Sequence, residues 1–188
     1  MKKVSIIIIV IMVMIAIAAD VMAQGKFITK TGHISFYSEA PLENIEAHNH
    51  EVLSIIDTES KEVAVSMLMK AFAFEKSLMQ EHFNENYVES DKFPKATFKG
   101  TFASAEPIDL SKDGVYEVDV TGELTIHGIT NPITTQGTIE VKEGQVVTKT
   151  KFKVAVKDYE IEIPKIVVDN IAEEIEITVE LQHAPLNS

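Results

Sequence analysis

Residues 116–137 read YEVDVTGELTIHGITNPITTQG, and their alternation decides the fold. Tyr116, Val118, Val120, Gly122, Leu124 and Ile126 share one parity, while Glu117, Asp119, Thr121, Glu123, Thr125 and His127 share the other. A period of two that separates apolar from polar residues predicts a long strand with one dry face and one wet face. Gly128 and the Asn131-Pro132 pair punctuate it, and Ile133, Thr135, Gly137, Ile139 and Val141 then resume the period. The stretch reads as a β-hairpin.

Toward the C-terminus, Glu143-Gly144 turns into Val146, Thr148, Thr150, Phe152, Val154 and Val156, with Lys149, Lys151 and Lys153 on the opposite parity. Tyr159–Asn170 is ambiguous, and Pro164 argues for a short irregular crossing. A final strand sets Ile175, Ile177, Val179 and Leu181 inside against Glu174, Glu176, Thr178 and Glu180 outside.

Toward the N-terminus, Pro107 to Gly114 is a polar connection, and Ala96, Phe98, Gly100 and Phe102 alternate with Thr97, Lys99 and Thr101. Glu75–Tyr87 is the one helical stretch, with Leu78, Met79, His82, Phe83 and Tyr87 at spacings of three to four. Before it, Val63, Val65, Met67 and Met69 hold one parity and Phe72 and Phe74 the other, so a bulge near Lys70 would turn all six inward. Ile45–Asp57 reads as a strand with a bulge, and Phe27–Thr29 and His33–Ser38 as two short strands around Gly32. About eight antiparallel strands at hairpin spacing, with one inserted helix, fit either a barrel or a two-sheet sandwich. Long strands without a disulfide favour the barrel, and closure hides the edges of an aggregation-prone chain.

The first residues are set apart from this fold. Lys2 and Lys3 precede an apolar run from Val4 to Ala19, and Val21-Met22-Ala23 supplies small residues at −3 and −1. Residues 1–23 are expected to be a signal peptide cleaved between Ala23 and Gln24, leaving 24–188 as one domain with no membrane span; an uncleaved anchor is the alternative. No cysteine follows the run, so thioether lipidation is excluded. Of 17 basic and 29 acidic residues, Lys2, Lys3 and Asp20 leave with the leader, and the mature net charge is about −13. Such a surface repels nucleic acid and anionic membranes. Every basic residue is a lysine, so the bidentate fork that best grips phosphate is missing. The absence of cysteine removes thiol chemistry and leaves stability to packing.

The inward parity set is the functional lead. Small barrels either fill with side chains or hold one ligand. Met67, Met69, Phe72, Phe74, Phe83, Phe98, Phe102, Leu124, Ile126, Phe152 and Val154 are the candidate lumen residues, suited to a flexible hydrocarbon. A packed core is the plainer reading of the same stripe. His48 and His50, flanked by Glu46 and Glu51, share a strand face as metal ligands do, but no third ligand is identifiable and a solvated segment is preferred. His82 follows Glu81 on the helix without a nucleophile or metal motif beside it, so a buried, hydrogen-bonded imidazole is expected. His127, at the hairpin tip, is expected to fix the turn. The lysine stripe 149–153 is expected to pair with carboxylates such as Glu140 or those of the hairpin. No phosphate loop, EF-hand or supported nucleophilic triad appears.

The phrase Leu124-Thr125-Ile126-His127-Gly128-Ile129-Thr130-Asn131-Pro132-Ile133 resembles the LTIHGVT-x-P signature of the YceI-like family. Leu78–Ser90 followed by Lys92-Phe93-Pro94-Lys95-Ala96-Thr97-Phe98-Lys99-Gly100 is similar to that family's helix and its KYPxxTF strand start. Gly32-His33-Ile34-Ser35-Phe36 extends the resemblance over essentially the whole mature chain. It implies an all-β fold, an extended antiparallel eight-stranded lipocalin-like barrel with one short inserted α-helix covering an end, and an apolar lumen able to hold a polyisoprenoid tail. His33-Ile34-Ser35-Phe36-Tyr37-Ser38-Glu39 departs from the family's SxIxFxVxHxG strand, and the alanine- and methionine-rich Val63–Phe74 replaces an arginine-rich arm.

Three functions follow in order of preference. The first is an exported, non-catalytic carrier that sequesters a hydrophobic small molecule, a neutral isoprenoid or quinone-like lipid, with no other cofactor or metal, in the periplasm or as a secreted protein. The second is a structural or interaction barrel with a filled core. The third, an enzyme using His48, His50 or His82, lacks a complete catalytic constellation. Oligomeric state stays open, a homodimer included.

Overall fold

A computed structural model describes residues 25–186. The expected signal peptide, residues 1–23, lies outside them. Nine strands form: β1 Lys26–Glu39, β2 Asn44–Asp57, β3 Glu62–Leu68, β4 Ala73–Phe74, β5 Lys95–Ser104, β6 Gly114–Ile126, β7 Ile129–Lys142, β8 Gln145–Ala155 and β9 Glu174–Pro185. Eight of them run in the order β1-β9-β8-β7-β6-β5-β3-β2 and close when β2 pairs back to β1, giving an antiparallel barrel. The closing seam joins first and last strands, with Phe27 opposite Pro185 and Tyr37 opposite Glu176. β4 only touches β2, at Ala47 and His48.

The β6–β7 hairpin turns on two residues, His127 (φ +51°) and Gly128 (φ +77°). Positive φ at both positions gives a primed turn whose twist matches the strands. Gly128 is needed twice over, because a Cβ there would lie 2.6 Å from the Phe93 ring. Asn131 and Pro132, expected in the turn, lie instead inside β7, opposite Leu124 and Glu123.

Elsewhere the chain bends where the pattern broke. β1 is one strand rather than two, because its register on β2 shifts between Thr29 and Ile34 without ending. The matching shift in β2 falls at His50-Glu51, where two consecutive residues are exposed and burial changes parity from Ala47 and Asn49 to Val52, Ser54 and Ile56. A 3₁₀ turn at Met69–Ala71, not a bulge, reverses the parity before Phe72 and Phe74. The helix α1 covers only Ser77–His82 and widens into a π turn at Phe83–Tyr87. Two short 3₁₀ turns, Val156–Tyr159 and Lys165–Asn170, make up the crossing from β8 to β9.

One end of the barrel is packed shut. Phe27, Ile56, Phe102, Val118, Ile139 and Val146 form a buried cluster there, and Ile108 and Leu110 from the β5–β6 connection press against it. Within it His183, 1% exposed, bonds Ser54 Oγ at 2.9 Å and the Val146 carbonyl at 3.2 Å. At the other end, α1, the π turn and the β8–β9 crossing surround an opening.

Candidate functional site

Inward-pointing residues of all eight barrel strands leave two apolar chambers. The upper has a volume of about 290 Å³ and the lower about 130 Å³. They meet at a waist of Ile34, Met67, Ala96, Ile126 and Ile177, which line both. Their combined size falls in the range of small-molecule sites, which are concave and mostly apolar with a few placed polar groups.

Each candidate lumen residue lines one chamber or both. Met69, Phe72, Phe74, Phe83 and Val154 line the upper, Phe98, Phe102, Leu124 and Phe152 the lower, and Met67 and Ile126 both. Phe98 reaches the lower chamber because Gly100 and Gly122 lie opposite each other and its ring covers them, so that a Cβ on either would come within 2.7 Å of Phe98 Cζ. In the upper chamber Phe36, Phe72, Phe74 and Phe83 pack ring on ring, with centroids 5.0 Å apart for Phe74–Phe83 and 5.3 Å for Phe36–Phe72. The 3₁₀ turn at Met69–Ala71 brings two of these rings to the same wall as Met67.

Sequence reasoning missed much of the upper chamber. Tyr159, Ile161, Ile163, Val167 and Ile171 line it from the β8–β9 crossing. The alternation of Tyr159, Ile161 and Ile163 with Glu160 and Glu162 was the available signal, hidden by its shortness and by Pro164.

Polar groups collect at the open end. Ser38, Glu43, His82, Tyr87, Tyr159 and Asn170 edge the upper chamber. Burial pushes the Tyr87 and Tyr159 hydroxyls up from their ordinary values. Both therefore remain neutral near pH 7. Lys76 Nζ donates to Glu43 Oε1 at 2.7 Å, and this bond holds the carboxyl below its usual value. Ser38 Oγ already accepts the Ala172 N–H at 2.9 Å. What remains is a neutral fringe with one matched ion pair, able to hydrogen-bond a carbonyl or hydroxyl but offering no free cationic clamp among these lining side chains.

The histidines depart from expectation. His82 is exposed at the rim, not buried, because α1 is one and a half turns long and lies across an opening, not a packed core. His127 does not brace its own turn. It bonds the Tyr159 carbonyl at 3.0 Å and Glu89 Oε2 at 2.9 Å, and meets the Phe93 ring edge-on, tying the hairpin to the crossing and to the segment after the π turn. His48 and His50 gain a neighbour from β1, with His33 Nε2 3.1 Å from His48 Nδ1 and the three rings stacked. Nearly parallel rings direct their lone pairs along parallel planes, so they do not converge on one point. No group of three His, Cys, Asp or Glu side chains among the described residues is arranged to hold a metal ion. Burial and the two neighbouring imidazoles push the His33 pKa down. Two lysines of the stripe pair, but with β9 and not with Glu140: Lys149 with Glu180 at 3.0 Å and Lys151 with Glu176 at 2.8 Å.

A hollow barrel with this cover has close structural counterparts. A polyisoprenoid-binding domain from Saccharophagus degradans implicated in plant cell wall breakdown superposes with a TM-score of 0.72 at 14% identity, over 86% of this chain and 99% of that one. BcnA from Burkholderia cenocepacia matches with a TM-score of 0.67 at 16% identity, over 80% and 95%. The Campylobacter jejuni YCEI protein matches with 0.55 at 18%, over 71% and 78%. At such identities the likeness is one of fold. No curated protein sequence matches the chain. The model of the YceI-like domain, however, matches residues 14–183. Nearly the whole sequence is thereby accounted for, and the chain belongs to the YceI-like family.

Proposed function

We propose that this protein is an exported, non-catalytic carrier that sequesters a neutral isoprenoid or quinone-like amphiphile, its tail in the chambers and its polar end at the open fringe. The observation that carries the reading is the pair of connected apolar chambers ending in a fringe of neutral hydrogen-bonding groups. Burial supplies the affinity: each CH₂ removed from water contributes about 0.8 kcal/mol, so a long tail needs few polar contacts. A phosphorylated head finds no arginine in the chain, and Lys76 at the fringe is already bonded to Glu43. The polyisoprenoid-binding relative from Saccharophagus degradans, similar in fold, supports the ligand class. No helix among the described residues is long and apolar enough to cross a membrane. The leader read from residues 1–23 and the family resemblance favour the periplasm.

Organic extraction and mass spectrometry of the protein, purified from its native compartment without detergent, tests this. A stoichiometric neutral lipid is expected. A retained polyprenyl pyrophosphate would overturn the neutral head, and an empty protein that takes up no isoprenoid would overturn the carrier in favour of a structural barrel.

A further inference from the structure

The barrel wall has a slot. β7 and β8 pair from Lys142 and Gln145 up to Gly137 and Thr150, and there the ladder stops. β7 continues through Ile129 along β6, and β8 continues to Ala155 along β9, without pairing to each other. Residues 132–136 of β7 leave an unzipped length of about 16 Å at the usual rise per residue. Its lower end is marked by Thr150, whose hydroxyl donates to the Gln136 carbonyl at 2.7 Å. Its upper end is bridged by the crossing, where Asn131 Nδ2 donates to the Asp158 carbonyl at 2.6 Å.

Pro132 removes one of the donors that would close this length. In a two-residue hairpin the pair flanking the turn, Ile126 and Ile129, exchanges both hydrogen bonds, and bonded pairs recur at every second residue. Residues 129, 131, 133 and 135 therefore direct their backbone groups at β6, and 130, 132, 134 and 136 direct theirs at β8. The bond from Thr150 to the Gln136 carbonyl fits that count. Continuing the register of Gly137 with Thr150 would set Pro132 opposite Ala155, where the backbone faces β8 and proline has no N–H to give, so the upper end of the slot lacks a closing bond.

The slot leads inside. Ile133, Thr135 and Phe152, at its edges, line the lower chamber, and Val154 lines the upper. A depression on the outer surface, lined by Gln136 and Lys151 at the lower end of the slot, shares Val118, Gly137, Thr138, Lys149, Thr150 and Val179 with the lower chamber, so the wall there is one residue thick. We propose that the β7–β8 slot, denied a closing bond at its upper end by Pro132, is a lateral portal through which the hydrocarbon tail of the ligand enters and leaves the lower chamber. This rests on the carrier reading above.

The chain has no cysteine, so a Thr134→Cys, Lys153→Cys double variant carries two unique, exposed thiols across the slot. They are joined with a reducible bismaleimide, and uptake of all-trans-retinol, a fluorescent isoprenoid alcohol, is followed by stopped flow. Stapling is expected to slow both uptake and release about tenfold or more at unchanged affinity, as a gate does, and reduction of the linker to restore both. Rates unchanged by stapling would overturn the portal while leaving the carrier intact, whereas an unmodified protein that takes up no retinol would remove the carrier and the portal with it. Pro132→Thr provides a second route independent of the cysteines. It is expected to slow retinol uptake severalfold and to protect the backbone amides of residues 151, 153 and 155 from hydrogen exchange, and a variant with neither effect would equally overturn the portal.

Discussion

The base and the mouth of this barrel are written in the same alternating pattern and end in opposite states. At the base, the β2–β3 and β7–β8 ladders are complete, Val146 and Ile56 are buried, and a connection caps the cluster. At the mouth, Phe36, Phe74 and Phe83 pack against Phe72 and one another and remain half-buried around a chamber. The side chains at the mouth are no smaller. The difference lies in pairing: β2 meets β3 only from Leu53 and Ser66 outward, and β7 leaves β8 above Gly137. Strands that lose a neighbour splay, and large residues then line a space they would otherwise fill. Hollowness is made by unpaired backbone as much as by side-chain choice.

Three perturbations sharpen this contrast. The largest effect is expected from truncating the base: Ile56→Ala should cost about 2–4 kcal/mol, as buried large-to-small changes do. Phe74→Ala at the mouth should cost a small fraction of that, because its removal enlarges a space that is already open. Urea unfolding of both variants decides the point, and equal losses would erase the distinction between a packed base and a hollow mouth.

Next in size is a pH effect centred on the base. Burial holds the His183 pKa below its ordinary value of 6.5, so the folded protein keeps this imidazole neutral while the unfolded chain takes up a proton as the pH falls. The unfolded state then binds more protons, and stability present above pH 6.5 is lost as the pH drops toward the folded pKa, by at most about 1.4 kcal/mol per unit from this group. The carboxyls held low in this protein, Glu43, Asp57, Glu89 and Asp109, titrate well below that window. Unfolding free energies at pH 6.5 and 5.5 should show the slope, and His183→Leu should reduce it to the part that His33, whose pKa is also held low, contributes with the same sign. A slope undiminished by the substitution would place the acid sensitivity elsewhere.

The smallest effect belongs to the clip at the mouth. His127→Ala removes the bonds to Tyr159 and Glu89 and should cost about 1 kcal/mol. Hydrogen exchange should quicken in residues 156–161 and stay unchanged in the base strands. Acceleration spread evenly over the barrel would mean that the two ends are one cooperative unit.

Most of the architecture was legible because the inward parity is long and clean in β5 to β9. Tyr116–Ile126 alone identifies a strand with one dry face, and all eleven candidate lumen residues point into one chamber or the other. Strand breaks were misread where local chemistry was overridden by neighbours. Gly32 reads as a stop but sits in a continuous strand held by Val52 of β2, and Asn131-Pro132 reads as a turn but is carried along by β6. The β8–β9 contribution to the mouth was not legible, since a short irregular segment shows no sustained period. Nor was the meeting of His33 with His48 and His50, which depends on the β1–β2 register and the bulge at His50-Glu51. Parity states which way a residue points, but pairing decides whether anything is there to meet it.

The seam between β1 and β9 has a kinetic meaning. Phe27 cannot meet Pro185 until nearly all of the intervening chain has been made, and this contact is among the most distant in sequence that the barrel contains. Folds dominated by such contacts form in milliseconds to seconds rather than microseconds. During that interval β1 and β9 each present a bare edge, the kind of surface on which chains template one another. A net charge of −12, spread over an exterior rich in glutamate, keeps two such unfinished chains apart. The acidity of this protein can thus be understood as a provision for the time before its barrel closes.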